Sequence, residues 1–179
     1  MAVWQFQVEF LPRAWVESAG GNLSPLFTAE GRDTAPAWRD HQPAAPLDTL
    51  FSEVLPPAPS RYAGELYWGD EKRTDAHVWY GDGRVEGIGV RVDARNYSTR
   101  LLLRLARIAD ALDCMLLIPE TQTVIPADVF SLRGALGRSR AARYVQGPPR
   151  FLDERLEERL EERLDERLDE RPDDGPDSA

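Results

Sequence analysis

The stretch TDAHVWYGDGRVEGIGVRVD, residues 74–93, restricts the fold more than any other part of the chain. Two runs rich in β-branched and aromatic residues flank Gly81-Asp82-Gly83. Asp-Gly between such runs marks a hairpin, because a type I′ turn needs positive φ at both central residues. A two-residue loop and a three-residue loop oppose different side chains, and both give mixed faces, so the register stays open. Gly87 and Gly89 stand two apart on the second run, share one face and leave it bare. A close approach is expected there, from a helix of the core or from another backbone. The same glycines look like a phosphate loop, but their spacing is not G-x-G-x-x-G and a strand follows them. Without a helix N-terminus there is no fan of amides to hold a phosphate.

Other segments fit around this hairpin. VWQFQVEF alternates, with Trp4, Phe6, Val8 and Phe10 on one side and Gln5, Gln7 and Glu9 on the other. That period reads as a half-buried strand in an antiparallel sheet with one wet side. GELYW reads as a further strand, and CMLLI with TVI as a second small hairpin. PLDTLFSEVLP places Leu47, Leu50, Phe51, Val54 and Leu55 on one helical face, started by Pro46 or Asp48. STRLLLRLARIADALDC is the clearest helix, with Ser98 as N-cap, an apolar stripe through Leu102, Leu105 and Leu112, and Arg100, Arg104 and Arg107 on another face. Pro126 and Asp128 open a last helix through Val129, Phe130, Leu132 and Leu136, and an arginine-bearing run, RSRAARYV, follows it. Residues 17–46 have no period and many Gly and Pro residues, which reads as one long loop. Phe27, Trp38 and His41 are expected to pin it to the body, the alternative being a partner-facing or lid loop.

This order mixes hairpins with helices and predicts an α+β fold. The expected architecture is a largely antiparallel sheet of about 5–6 strands with two or three helices packed on one face. The expected divisions are a globular domain over 1–150, a low-complexity charged helix over 151–171 and a disordered tail over 172–179.

Charge has to be read by position. The formal net charge is −9, but residues 152–179 hold 13 of the 31 acidic residues and 5 of the 22 basic ones, a net of −8. The rest of the chain stands at −1. A body this neutral has no basic stripe for a nucleic-acid backbone. The tail LDERLEERLEERLDERLDER repeats a leucine every four residues, whereas a helix turns every 3.6 and a coiled-coil seam needs 3.5. The stripe drifts by about 40° per repeat, and like charges stack at i, i+4. The spacing speaks against self-association through this segment.

The single cysteine, Cys114, excludes an intrachain disulfide and sits in an apolar run, so a packing role is expected. MAVWQFQVEF does not read as a signal peptide, and no stretch approaches a membrane span. The cytoplasm is the expected location, with no membrane partner. His77 is the acid/base candidate by residue type, with Asp70, Glu71 and Asp75 near it in sequence. On a strand, Asp75 shares its face and is placed to orient the imidazole. A metal site needs three or four convergent ligands, and the chain has two histidines, so no metal and no other cofactor is expected. The five tryptophans suit interfaces as well as cores. Trp68 and Trp79 flank the acidic loop Asp70–Asp75, and with Trp38 from the long loop they form the candidate protein-binding set: Trp38, Trp68, Asp70, Glu71, Asp75 and Trp79.

The segments DAHVWYGDGRVEGIGVRVDARN, LLLRLARIADALDCMLLIPETQTVIPAD and SRAARYV, spanning residues 74–145, resemble a group of uncharacterised small bacterial α+β proteins. These in turn look like immunity or accessory proteins of bacterial toxin and conflict systems. The resemblance lies in packing positions and carries no catalytic motif. It implies a non-catalytic cytoplasmic protein-interaction module whose partner is another protein. The alternative is a small hydrolase-like or metal-assisted enzyme centred on His77, with Asp75 and Asp70 or Glu71 converging on it.

Overall fold

The computed structural model describes residues 2–29 and 31–147. The expected charged helix over 151–171 and tail over 172–179 lie outside the described residues. Strand β1 (Gln5–Pro12) leads into helix α1 (Arg13–Ser18), a 3-10 turn (Ser24–Leu26), and the short strands β2 (Phe27–Thr28) and β3 (Gly31–Arg32). Helices α2 (Ala35–Trp38) and α3 (Leu47–Ser52) follow, then strands β4 (Pro57–Ala58), β5 (Glu65–Gly69), β6 (Asp75–Gly81) and β7 (Arg84–Asp93). Helix α4 (Thr99–Ala111), strands β8 (Cys114–Ile118) and β9 (Thr123–Ile125), and helices α5 (Val129–Arg138) and α6 (Arg140–Gln146) complete the described chain.

Seven strands form one sheet in the order β4-β5-β6-β7-β1-β8-β9, with every neighbouring pair antiparallel. The fold is α+β, with one or two more strands than the sequence leads one to expect. The extra edge is β4, a two-residue strand whose Pro57 hides it from strand prediction. Both edges are short, which limits pairing with other chains. The β6–β7 hairpin takes the two-residue loop: Gly81 opposes Arg84, and Asp82 and Gly83 have φ of 51° and 75°. The register then slips, because Tyr80 opposes Val85 while Trp79 opposes Gly87, leaving Glu86 as an extra residue. This bulge turns Val85 to the same side as Ile88 and Val90.

One face of the sheet carries Phe6, Val8, Phe10, Trp68, Ala76, Val78, Ile88, Val90, Val92 and Leu116, all buried in the main core. Four helices close it, through Leu47 and Phe51 of α3, Leu102, Leu105 and Ile108 of α4, Leu132 and Leu136 of α5, and Ala141 and Ala142 of α6. The expectation of two or three helices on this face is therefore one or two short, and RSRAARYV is among those that form their own helix, capped by Ser139. Ser98 caps α4 by accepting from the Leu101 amide at 3.1 Å, and Asp128 caps α5 by accepting from the Phe130 and Ser131 amides. Each leucine so buried contributes about 1.5–3 kcal/mol.

The opposite face departs from expectation. Gln5, Gln7 and Glu9 do share it, but it is not a wet side: Gln5 and Glu9 are buried. Segment 17–46 covers this end of the sheet, and it is not structureless. Its turns and short strands bring Leu26 and Ala37 against Leu11 and Leu117, with Trp15 and Phe27 packed around them. No helical or strand period is visible in the segment because each element is only two to four residues long. Helix α2 sits against β7 and β1, and it carries Trp38 into the main core.

Candidate functional site

The covered face holds the chemistry-bearing side chains. Antiparallel register sets Tyr67, His77, Gly89 and Glu9 in one row across β5, β6, β7 and β1. The neighbouring row runs Asp75, Arg91 and Gln7. Alternation alone puts these residues on one side, and the glycine at 89 gives the side chains beside it room to lean inward.

Asp75 is fully buried and completely engaged. Arg91 donates to it twice, from Nε at 2.8 Å and from Nη2 at 2.5 Å, and the Tyr67 hydroxyl donates at 3.0 Å. A bidentate, charge-assisted clamp of this kind is the arrangement in which a buried carboxylate is tolerated. Burial together with the Asp75 charge pushes the Tyr67 phenol up to about 12.

Glu9 forms the second buried carboxylate. Arg32, delivered by β3, reaches it at 2.6 Å, and Gln7 donates to the same oxygen at 2.9 Å. Burial still holds the Glu9 carboxyl above its ordinary range, with Arg32 and Gln7 pulling against it. His77 stands between the two pairs. A Cβ placed on Gly89 would lie 2.5 Å from His77 Nε2 and 2.9 Å from Glu9 Oε2, so the imidazole and the carboxylate flank the same point above the glycine. The bare strip expected at Gly87 and Gly89 is thus filled by side chains of the adjoining strands and of Thr34, not by a helix or a second backbone. Burial, assisted by Arg91 and Arg32, pulls the imidazole down to about 4. His77 makes no hydrogen bond among the described residues and meets the Trp79 ring at 5.8 Å with an interplanar angle of 60°.

The sequence neighbours of His77 do not gather around it. Asp75 is committed to Arg91 and Tyr67 and does not orient the imidazole. Asp70 lies in the β5–β6 turn, where its carboxylate accepts from the Lys72 amide, and Glu71 pairs with Arg61. Among the described residues no group of three or more His, Cys, Asp or Glu side chains is placed to hold a metal ion. The polar set that does converge (Glu9, Arg32, Tyr67, Asp75, His77 and Arg91) mixes four strands and the long loop. Arg91 and Glu9 were accessible to sequence reasoning through strand parity, but only after the hairpin register was known.

The tryptophans separate into two groups. Trp68 is buried, stacks on Phe51 at 5.1 Å and donates to Ser52 at 3.1 Å. Trp38 is buried with its indole nitrogen unpartnered. These two, with Asp75, present no surface to a partner. Trp79, Asp70 and Glu71 retain exposure. Trp79 also packs on Tyr62, a residue of the β4–β5 loop that is 63% exposed, with ring centroids 5.5 Å apart. Trp4 is roofed by the Arg95 guanidinium at 4.2 Å and is structural. No helix among the described residues is long and apolar enough to cross a membrane. No protein-family model, no curated protein and no solved structure matches this chain.

Proposed function

We propose that this chain is a non-catalytic protein-binding module acting in the cytoplasm, and that it binds through the surface headed by Tyr62 and Trp79. The observation that supports this most is the exposure of Tyr62 against a half-buried Trp79, at the edge of a sheet face whose Glu9 and Asp75 carboxylates are already paired to arginines. Aromatic pairs of this kind anchor protein interfaces because they bury large area at small entropic cost. The neighbouring β5–β6 turn gives the rim mixed charge, with Asp70, Lys72 and Arg73 exposed and Glu71 paired to Arg61. An immunity or accessory role in a bacterial toxin system is the finer reading, and it rests on the resemblance of residues 74–145.

The competing reading, a hydrolase-like or metal-assisted enzyme centred on His77, draws less from the geometry. Its orienting carboxylate is spent on Arg91, and Asp70 and Glu71 point to other partners. Cross-linked affinity purification of the full chain from its native host separates the two. A specific partner captured by the wild type and by Phe130→Ala, but lost on combining Tyr62→Ala with Trp79→Ala, supports binding through this surface. Phe130 is a fair control because it is 84% exposed on α5 and not part of the Tyr62–Trp79 contact. Capture that survives the double substitution overturns the surface. A turnover that disappears in His77→Gln and persists without the aromatic pair overturns the whole reading.

A further inference from the structure

The helical side of the molecule carries a second feature that is unconnected with His77. Between α3 and α4 lies a cavity of about 370 Å³, floored by Leu50, Val54 and Ile108 and rimmed by Glu53, Arg104 and Arg107. Arg104 donates from Nη1 to the Glu53 carbonyl at 2.8 Å, which ties the end of α3 to α4. Arg107 is exposed and forms no ion pair among the described residues. Arg100, Arg104 and Arg107 fall at i, i+4 and i+7, so the three guanidinium groups follow one side of the helix. An apolar floor under guanidinium groups fits a leucine flanked by carboxylates.

The chain supplies that chemistry itself. Each leucine of residues 152–171 is followed directly by two acidic residues, as in Leu156-Glu157-Glu158 and Leu164-Asp165-Glu166. The segment beyond residue 151 carries a net −8 against a body at −1. The described chain ends at Gly147, and 32 residues follow it. Extended chain covers about 3.3–3.6 Å per residue, and a body of this size has a radius of gyration of about 15 Å, so the repeats from Leu160 onward have a reach of about 40 Å or more from Gly147, well beyond that radius. The four-residue period prevents a continuous seam but leaves each repeat able to present one leucine with its acids.

We infer that residues 152–171 dock in cis on the α3–α4 groove, one or two repeats at a time, with a leucine on the apolar floor and its acidic neighbours on Arg104 and Arg107. Because the repeats are nearly identical, they exchange in the groove, and the tail competes there with any other acidic, leucine-bearing peptide.

The test uses the full chain with Glu161→Cys carrying a nitroxide. Cys114 is buried, so the label goes to the new thiol alone. Paramagnetic broadening of the Leu50, Val54, Arg107 and Ile108 amides that is independent of protein concentration is the expected result. It should fall about twofold or more in Arg107→Glu and on raising salt, since exposed charge contacts are worth only a few-fold in an equilibrium and are screened. Broadening that is absent, or unchanged in Arg107→Glu, overturns the proposal. Mixing spin-labelled chain with isotope-labelled, nitroxide-free chain provides the remaining outcome. Broadening found only in the mixture places the segment in the groove of a second copy and overturns docking in cis.

Discussion

Arg91 holds Asp75 through two N–H···O bonds, and the carboxylate it holds has no exposure to solvent. The two residues sit directly opposite each other on β6 and β7, so the clamp is a cross-strand pair at the middle of the sheet. Removing one partner of such a pair strands a charge in low dielectric.

Arg91→Met is therefore expected to destabilise the fold by about 3–5 kcal/mol. Tyr67→Phe, which removes one bond and leaves the clamp, costs about 1–2 kcal/mol. The double substitution Asp75→Leu with Arg91→Met recovers much of the loss, because no buried charge is left. Urea unfolding of the four proteins checks the order. Equal stability of Arg91→Met and wild type would show that the pair is worth no more than a surface bridge.

Two groups of the covered face move the pH dependence of stability in opposite directions, on top of the acid-side loss from the lowered carboxyls of Glu71, Asp93 and Asp128. Folding pulls the His77 imidazole from its ordinary 6.5 down to about 4. As pH falls below about 6.5, the unfolded chain takes up a proton that the folded chain refuses, so stability declines until about pH 4 and then levels off. Glu9 acts in the other direction. Its raised folded value means that stability grows as pH falls through that value towards 4.5. His77→Gln should remove a loss on the order of 1–3 kcal/mol between pH 6.5 and 4. Glu9→Gln should steepen the same loss. Urea midpoints at a series of pH values read both, and identical pH profiles for His77→Gln and wild type would refute the first.

Cys114 donates to the Leu112 carbonyl at 3.4 Å, is fully buried, and has its thiol pushed up to about 12 by burial and by Asp113. A buried thiol without thiolate character reacts only when the chain opens. Labelling by an aromatic disulfide reagent should be slow in native buffer and accelerate with urea in step with the unfolding equilibrium. Rapid labelling of the native chain would contradict the placement of β8 beside β1.

The strands were largely legible because their signal is local. Alternation in VWQFQVEF and the Asp82-Gly83 turn place β1, β6 and β7 without any knowledge of the rest. Ser98 and Asp128 mark the starts of α4 and α5 by their capping chemistry. What the sequence concealed depends on contacts between distant residues. Leu26 and Ala37 order the segment before α3 only by meeting Leu11 and Leu117. The bulge at Glu86, opposite Trp79 and Tyr80, shifts side-chain parity along β7 by one, so face assignments carried across it fail. The candidate site suffered most. Asp75 and His77 share a face as predicted, but the partner that decides the role of Asp75 is sixteen residues away and visible only in the register. Likewise Arg32 reaches Glu9 from a segment with no period of its own.

Gly89 tests whether this face is as tightly organised as its hydrogen bonds imply. The residue is in a regular strand, so alanine meets no conformational penalty there and even gains some β-propensity over glycine. The obstacle is space alone. An added methyl group would lie 2.5 Å from His77 Nε2 and 2.9 Å from Glu9 Oε2, and Glu9 is tethered by Arg32 and Gln7. Gly89→Ala should cost about 1–3 kcal/mol, the usual range for overpacking. Adding His77→Ala opens the nearer side, so the double variant should be more stable than Gly89→Ala alone, a non-additivity that a thermodynamic cycle measures. Gly87→Ala is the companion measurement, since its methyl group would meet a Thr34 hydroxyl at 2.8 Å that can rotate away at the loss of its bond to the Glu86 carbonyl. It should cost less than Gly89→Ala and be indifferent to His77→Ala. If the two glycines respond alike, or if His77→Ala brings no rescue, then His77 does not lean over Gly89, and its low pKa needs a different origin.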